Sequence, residues 1–135
     1  MLDALLRPKT VAIIGASRSP GKVGHAILSN LKAGGFKGEI VPVNPGADEI
    51  LGFRCYHELK DYDGKIDLSV IVVPPQRVRD AMDSSIRAGA KAIAVITAGF
   101  KEVGEDGVRL EAELAKLARD RKVRLLGPNC LGLIN

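Results

Sequence analysis

Two kinds of apolar pattern alternate along the chain. Short runs rich in Val and Ile, apolar at consecutive positions, fall at residues 10–14, 39–43, 67–73, 91–97 and 123–126. Runs that are apolar on both faces are what the interior strands of a parallel sheet require, because helices cover both sides of it. A weaker extended piece falls at 53–56. Between the runs, apolar residues recur at helical spacing. Val23, Ile27 and Leu31 mark one helix that stops at Gly34 and Gly35. Val78, Met82 and Ile86 mark a second, with Pro75 in its first turn and Gly89 at its end. Leu110, Leu114, Leu117 and Ala118 mark a third, preceded by Glu105 and Asp106, whose charge suits a helix N-terminus. The stretch 44–65 reads mainly as loop, with at most one helical turn near 57–60.

This alternation predicts an α/β fold: a Rossmann-like doubly wound parallel sheet of about five strands with helices on both faces and right-handed crossovers. Ligands of such sheets bind at the carboxyl ends of the strands. The functional residues are therefore expected just after each strand: Gly15 to Gly24, Asn44-Pro45-Gly46, Pro74-Pro75, Thr97 to Phe100, and Gly127-Pro128-Asn129-Cys130. No internal repeat or low-complexity tract interrupts the pattern.

At 135 residues the chain has the length of one domain. Its 46% hydrophobic and 27% charged residues place it among folded globular chains. Aromatic residues are only 4%, without Trp, so the core is aliphatic and no platform exists for stacking single-stranded nucleic acid. The net charge of +4 is scattered, with no basic arm for a polynucleotide and no polybasic patch for lipid. A small anionic ligand fits that balance. Cys55 and Cys130 match no zinc or redox spacing and read as free thiols of a reducing compartment. Without a secretory signal at Met1 to Ala4, and without an apolar run long enough to span a bilayer, a cytoplasmic location is expected.

The densest chemical signal is V-A-I-I-G-A-S-R-S-P-G-K-V-G, from Val11 to Gly24. A strand, a glycine turn and a helix start in that order form a phosphate site, because glycine lets the main chain approach an anion and the first helical N–H groups point at it. The spacing is not G-x-G-x-x-G. An NAD site also wants Asp or Glu after the second strand to hold a ribose hydroxyl, and Asn44-Pro45-Gly46 stands there instead. A P-loop is excluded, since Val23 follows Gly21-Lys22 where Ser or Thr would bind magnesium. Arg18 lies in this loop, Lys22 at or near the first turn of its helix, and Arg77 and Arg79 at the start of another. Each opposes the helix dipole by roughly 0.3–1 kcal/mol, a penalty that a bound anion reverses. Long side chains pointing into solvent are the alternative for each alone; the four together favour a ligand with several phosphates. No nucleophile–base pair or metal-ligand cluster is visible, so catalytic and metal-binding residues are both expected to be absent.

The strings V-A-I-I-G-A-S, V-N-P-G, V-I-V-V-P-P, I-T-A-G-F and L-L-G-P-N-C-L-G follow the successive strands in that order. Together, over essentially the whole chain, they resemble the CoA-binding domain of nucleoside-diphosphate-forming acyl-CoA synthetases, the group of the succinyl-CoA synthetase α subunit and ADP-forming acetyl-CoA synthetase. The resemblance implies coenzyme A as ligand. Its adenosine diphosphate would lie along Gly15 to Gly24 and Asn44 to Gly46, with Ser17, Arg18, Gly21 and Lys22 facing phosphates. Val73, Pro74 and Pro75 would pack near the adenine or the pantetheine arm, and Thr97 and Asn129 closer to the thiol. Succinyl-type members carry a Lys shortly after Pro-Gly. Ala47 and Asp48 occupy that neighbourhood here, so the contact to the 3′-phosphate comes from elsewhere, from Arg18, Lys22 or Arg54, or is weaker.

In that family an acid, a nucleoside triphosphate and CoA give acyl-CoA through an acyl phosphate and a phosphohistidine. The histidine lies in a following domain, so His25 and His57 are expected to be structural or surface residues. Cys130 is the thiol that could approach that of CoA, with packing as its plainer role. The chain is expected to be the N-terminal CoA-binding part of a longer enzyme, partnered by further domains or a second subunit and binding CoA without turnover. A stand-alone or regulatory CoA- or acyl-CoA-binding module is the second reading, and an NAD(P)-binding oxidoreductase domain the third.

Overall fold

A computed structural model describes residues 7–96 and 105–127. Five parallel strands form the main sheet: β1 (Thr10–Ile14), β2 (Glu39–Val43), β5 (Leu68–Ile71), β6 (Ala92–Val95) and β7 (Arg124–Leu126), in the order β2-β1-β5-β6-β7. A two-stranded antiparallel hairpin, β3 (Glu49–Ile50) and β4 (Phe53–Arg54), stands beside it. The helices are α1 (Val23–Ala33), α2 (Pro75–Arg87) and α3 (Glu105–Asp120), and a 3-10 turn covers Leu59–Asp61. None of the described helices is long and apolar enough to cross a membrane.

The alternating strand residues divide the core in two. Ala12, Val41, Ile71, Ile93 and Val95 face α2 and α3, meeting Val78, Met82 and Leu114. Val11, Ile13, Ile40 and Val70 face the other way, meeting Ile27 and Leu28 of α1 and Ile50 of the hairpin. Helices therefore cover both faces, as the pattern predicts. Each fully buried aliphatic side chain contributes roughly 1.5–3 kcal/mol.

Strand β1 begins where Asp67 accepts hydrogen bonds from the N–H groups of Lys9 and Thr10, at 2.9 and 3.0 Å, which fixes the register of β1 against β5. The expected runs 67–73 and 91–97 are longer than the observed β5 and β6. Asp67 lies just before β5, its main chain already bonded to Thr10 and Ala92; Pro74 caps α2, and Thr97 lies outside the described residues.

Two local expectations are corrected. Val23 belongs to the helical stripe by spacing, yet it is 46% exposed because it is the first residue of α1 and borders the ligand edge. The core-facing stripe of α1 is instead Gly24, Ile27 and Leu28. The stretch 44–65 also contains the hairpin, whose turn places Leu51 at φ 53° and Gly52 at φ 86°. Lys32, in the last turn of α1, reaches that turn: its Nζ donates to the Leu51 carbonyl at 2.7 Å and lies 5.8 Å from the Phe53 ring centre. Beyond β4 the chain runs along the outer edge of β2. Tyr56 N–H donates to Pro42 O, and Asn44 N–H donates to Tyr56 O, both at 2.9 Å.

Candidate functional site

After β1 the chain pairs with strands on one side, then crosses to the other side for β5. This reversal opens a crevice between the carboxyl ends of β1 and β5, the place where doubly wound sheets hold ligands. A cleft of about 610 Å³ lies there. Its apolar floor is Ile14, Val43, Val72, Val73 and Pro74. A smaller extension of about 240 Å³ continues over Leu59 and Ala81, past Arg77, Asp80 and Ser84.

The glycine turn sets the near wall. Gly15 has φ +100°, and a β-carbon there would stand 2.1 Å from the Val72 carbonyl oxygen, so only glycine lets β1 turn this close to β5. Gly24 brings the head of α1 equally close: its β-carbon would meet the Gly15 carbonyl oxygen at 2.1 Å. Lys22 caps α1 without a side-chain capping bond, and the first turn carries no acidic residue. Its carbonyl takes the N–H groups of His25 and Ala26, both at 3.1 Å. The N–H groups of Val23 and Gly24 precede any intrahelical acceptor, and both residues line the cleft. Donors, a helix dipole and the Lys22 side chain meet at one rim, an arrangement that favours an anion.

The loop is braced from within. Ser17 Oγ accepts the Ser19 N–H at 3.0 Å, and His25 Nδ1 lies 3.0 Å from the Ser17 carbonyl, which accepts its proton. That contact gives His25 the structural role expected of it. Asn44 ties the loops after β1 and β2 together: its Nδ2 donates to Ala16 O at 2.8 Å, and its Oδ1 accepts the Gly46 N–H at 2.7 Å. Cys55 is buried beneath this loop, and burial, outweighing the other influences on it, raises the thiol above its ordinary range. An inert thiol is what the sequence predicts for it.

Of the residues singled out from sequence, Gly15, Ser17, Lys22, Asn44, Pro45, Val73 and Pro74 line the cleft. Arg18 and Gly21 are exposed in the same loop without lining it, and Pro75 begins α2 behind Pro74. Thr97, Asn129 and Cys130 lie outside the described residues. Among the four cations, Lys22 and Arg77 border the cleft, whereas Arg79 pairs with Glu113 of α3. Ala16, Val23, Gly24, His57 and Glu58 complete the lining. His57 and Glu58 are invisible to a search after each strand because they stand well beyond the end of β2. The clue was the extended piece before them, which runs along β2 and delivers them to its carboxyl end. Among the described residues no cluster of His, Cys, Asp or Glu is placed to hold a metal.

A doubly wound sheet with a glycine-walled, cation-flanked cleft at its switch point defines the class: a Rossmann-like α/β domain, a fold whose ligands bind at the carboxyl ends of the strands. The CoA binding domain family matches residues 9–135, and the chain belongs to that family. It is 48% identical over 95% of its length to an ADP-forming acetate–CoA ligase of Methanocaldococcus jannaschii, of which it covers 18%. It is 40% identical over its full length to the α subunit of ADP-forming acetate–CoA ligase II of Pyrococcus furiosus, covering 29% of that subunit. Among solved structures, the acetyl-coenzyme A synthetase 1 of Candidatus Korarchaeum cryptofilum, in complex with phosphate and ADP, superimposes with a TM-score of 0.88 at 45% identity. That match covers 96% of this chain and 27% of the other. The chain thus spans well under a third of these relatives.

Proposed function

We propose that the cleft binds coenzyme A, and that the chain is the N-terminal CoA-binding part of a cytoplasmic, nucleoside-diphosphate-forming acyl-CoA synthetase. The diphosphate bridge lies against the turn from Gly15 to Gly24, facing Ser17, Arg18, Lys22, the main chain at Gly21 and the free N–H groups of α1. Asn44 and Pro45 border the adenosine. Val73, Pro74 and Pro75 supply apolar surface for the adenine or the pantetheine arm, with Thr97 and Asn129 nearer the thiol. The acid, the nucleotide and the phosphohistidine belong to other domains or a partner subunit, so this chain holds and orients CoA and performs no turnover alone. The ligase names of its relatives support that assignment.

The observation that carries the reading is the pair of glycine contacts, Gly15 on Val72 and Gly24 on Gly15, which press a cation-bearing helix start against the switch-point crevice. A dinucleotide of the NAD type is less suited. No carboxylate ends β2, and both ends of the Asn44 amide are already engaged by the loops.

Thermal unfolding tests the proposal. CoA at a hundredfold excess over its dissociation constant adds about 2.7 kcal/mol to the folded state and raises the melting temperature by several degrees. NADH at equal concentration leaves it in place. A melting curve unmoved by saturating CoA refutes the assignment.

A further inference from the structure

We infer that His57, held by Asp48, recognises the 3′-phosphate of CoA, and that the contact takes up a proton. The inference rests on the CoA reading above and concerns one end of the same cleft. CoA carries a phosphate on its ribose, apart from the diphosphate bridge. In a doubly wound sheet the bridge sits at the glycine turn after the first strand and the ribose at the end of the second. Lys22 stands at the head of α1, and Arg77 stands on α2 beyond β5.

At the β2 end of the cleft the polar side chains are those of Asn44, His57 and Glu58. The Asn44 amide is tied to Ala16 and Gly46 and carries no charge. Glu58 is an anion whose carboxylate lies 3.4 Å from the Lys60 ammonium. Of the residues that line that end of the cleft, His57 is therefore the one able to present a cation, since Arg54 borders the depression on its other side. It lines the cleft on one side, and on the other a depression formed with Asp48, Arg54, Cys55 and Asp61. These, with Glu58 on its own segment and Lys22 and Arg77 bordering the same cleft, are the charged groups around it.

The ring is oriented. Its Nε2 lies 2.7 Å from Asp48 Oδ1, and a carboxylate accepts there, so Nε2 carries a hydrogen. In the neutral ring Nδ1 then holds only a lone pair. A phosphate dianion also offers only acceptors. The two meet only when one more proton is bound, giving an imidazolium between Asp48 and the phosphate, or a phosphate monoanion that donates to Nδ1. CoA binding then strengthens as pH falls, whereas binding of dephospho-CoA, which lacks that group, does not share the dependence.

Isothermal titration of the chain with CoA and dephospho-CoA, at about pH 6 and about pH 8 and in buffers of different ionisation heat, reads this directly. The expected preference for CoA is roughly tenfold at the lower pH, the worth of one charge-assisted hydrogen bond, and it narrows at the higher pH with measurable proton uptake. In His57→Gln the two ligands come within about twofold and the uptake vanishes. His57→Lys restores the preference, which then no longer narrows at the higher pH, because the phosphate is there the full dianion. If His57→Gln keeps the preference, or if Arg77→Gln is the variant that erases it, the inference is overturned while the CoA reading stands. If the wild-type chain binds neither ligand, both fall.

Discussion

At Gly24 a methyl group would stand 2.1 Å from the Gly15 carbonyl oxygen and 3.1 Å from the Ala16 α-carbon. Backbone atoms cannot yield as a flexible side chain does, so Gly24→Ala must push the head of α1 away from β1. The expected cost is about 2–3 kcal/mol in urea denaturation, with loss of the stabilisation by CoA. Gly21, in the same loop, has nothing within 4 Å of its would-be side chain and no left-handed backbone. Gly21→Ala should stay within about 0.5 kcal/mol of wild type. Equal damage from both substitutions would mean that these glycines serve the loop rather than the approach of helix to strand. The sequence marks both residues as one glycine-rich turn. Which of them bears the contact depends on the angle at which α1 leaves the loop, and spacing does not encode that. The same limit hides the work of Asn44, legible as a polar residue after β2 but not as the tie between two loops.

Helix α2 is joined to β5 by more than apolar contact. Ser69 and Ser85 are both fully buried, their hydroxyl oxygens 2.6 Å apart, and Ser85 also donates to the Ala81 carbonyl at 2.8 Å. Ser85→Ala strands the Ser69 hydroxyl in the core at a cost of about 1–3 kcal/mol, whereas removing both hydroxyls together should cost less than the sum of the single losses. A double-mutant cycle by denaturation measures the coupling, and strict additivity would show that the two groups are independent. Elements of this size were largely legible. The β-branched runs of β1 and β2 coincide with the observed strands, and the three helical stripes with the three observed helices. Of the hairpin, the extended piece at 53–56 anticipated β4, while β3 and the pairing escaped, because two residues are too short for any period to register and Leu51 takes a turn conformation usually left to Gly or Asn.

Over the whole molecule, alkaline pH acts through a link between the edge of the sheet and the segment after the 3-10 turn. Tyr62 donates its hydroxyl proton to Glu39 at the start of β2 and packs edge-on against Tyr56, ring centres 5.5 Å apart. The bond to Glu39, followed by burial, pushes the phenol up to about 12 from its ordinary 10.0. Below the ordinary value both folded and unfolded chains keep the proton, and the contribution to stability is full. Above it the unfolded chain releases the proton first, so stability falls as pH rises through that window. Thermal melts across the window should fall more steeply for wild type than for Tyr62→Phe; parallel curves would exclude the link.

Lys32 has a wider consequence. Helix α1 is a rod of about 16 Å, one tip pressed on the glycine turn and the other gripping the hairpin through Leu51 and Phe53. The strand that leaves the hairpin runs on to His57, so a single rod touches both banks of the crevice, and a shift of one bank is expected to reach the other. Slower deuterium exchange at the hairpin amides on adding CoA would reveal that gearing, and Lys32→Met should uncouple it.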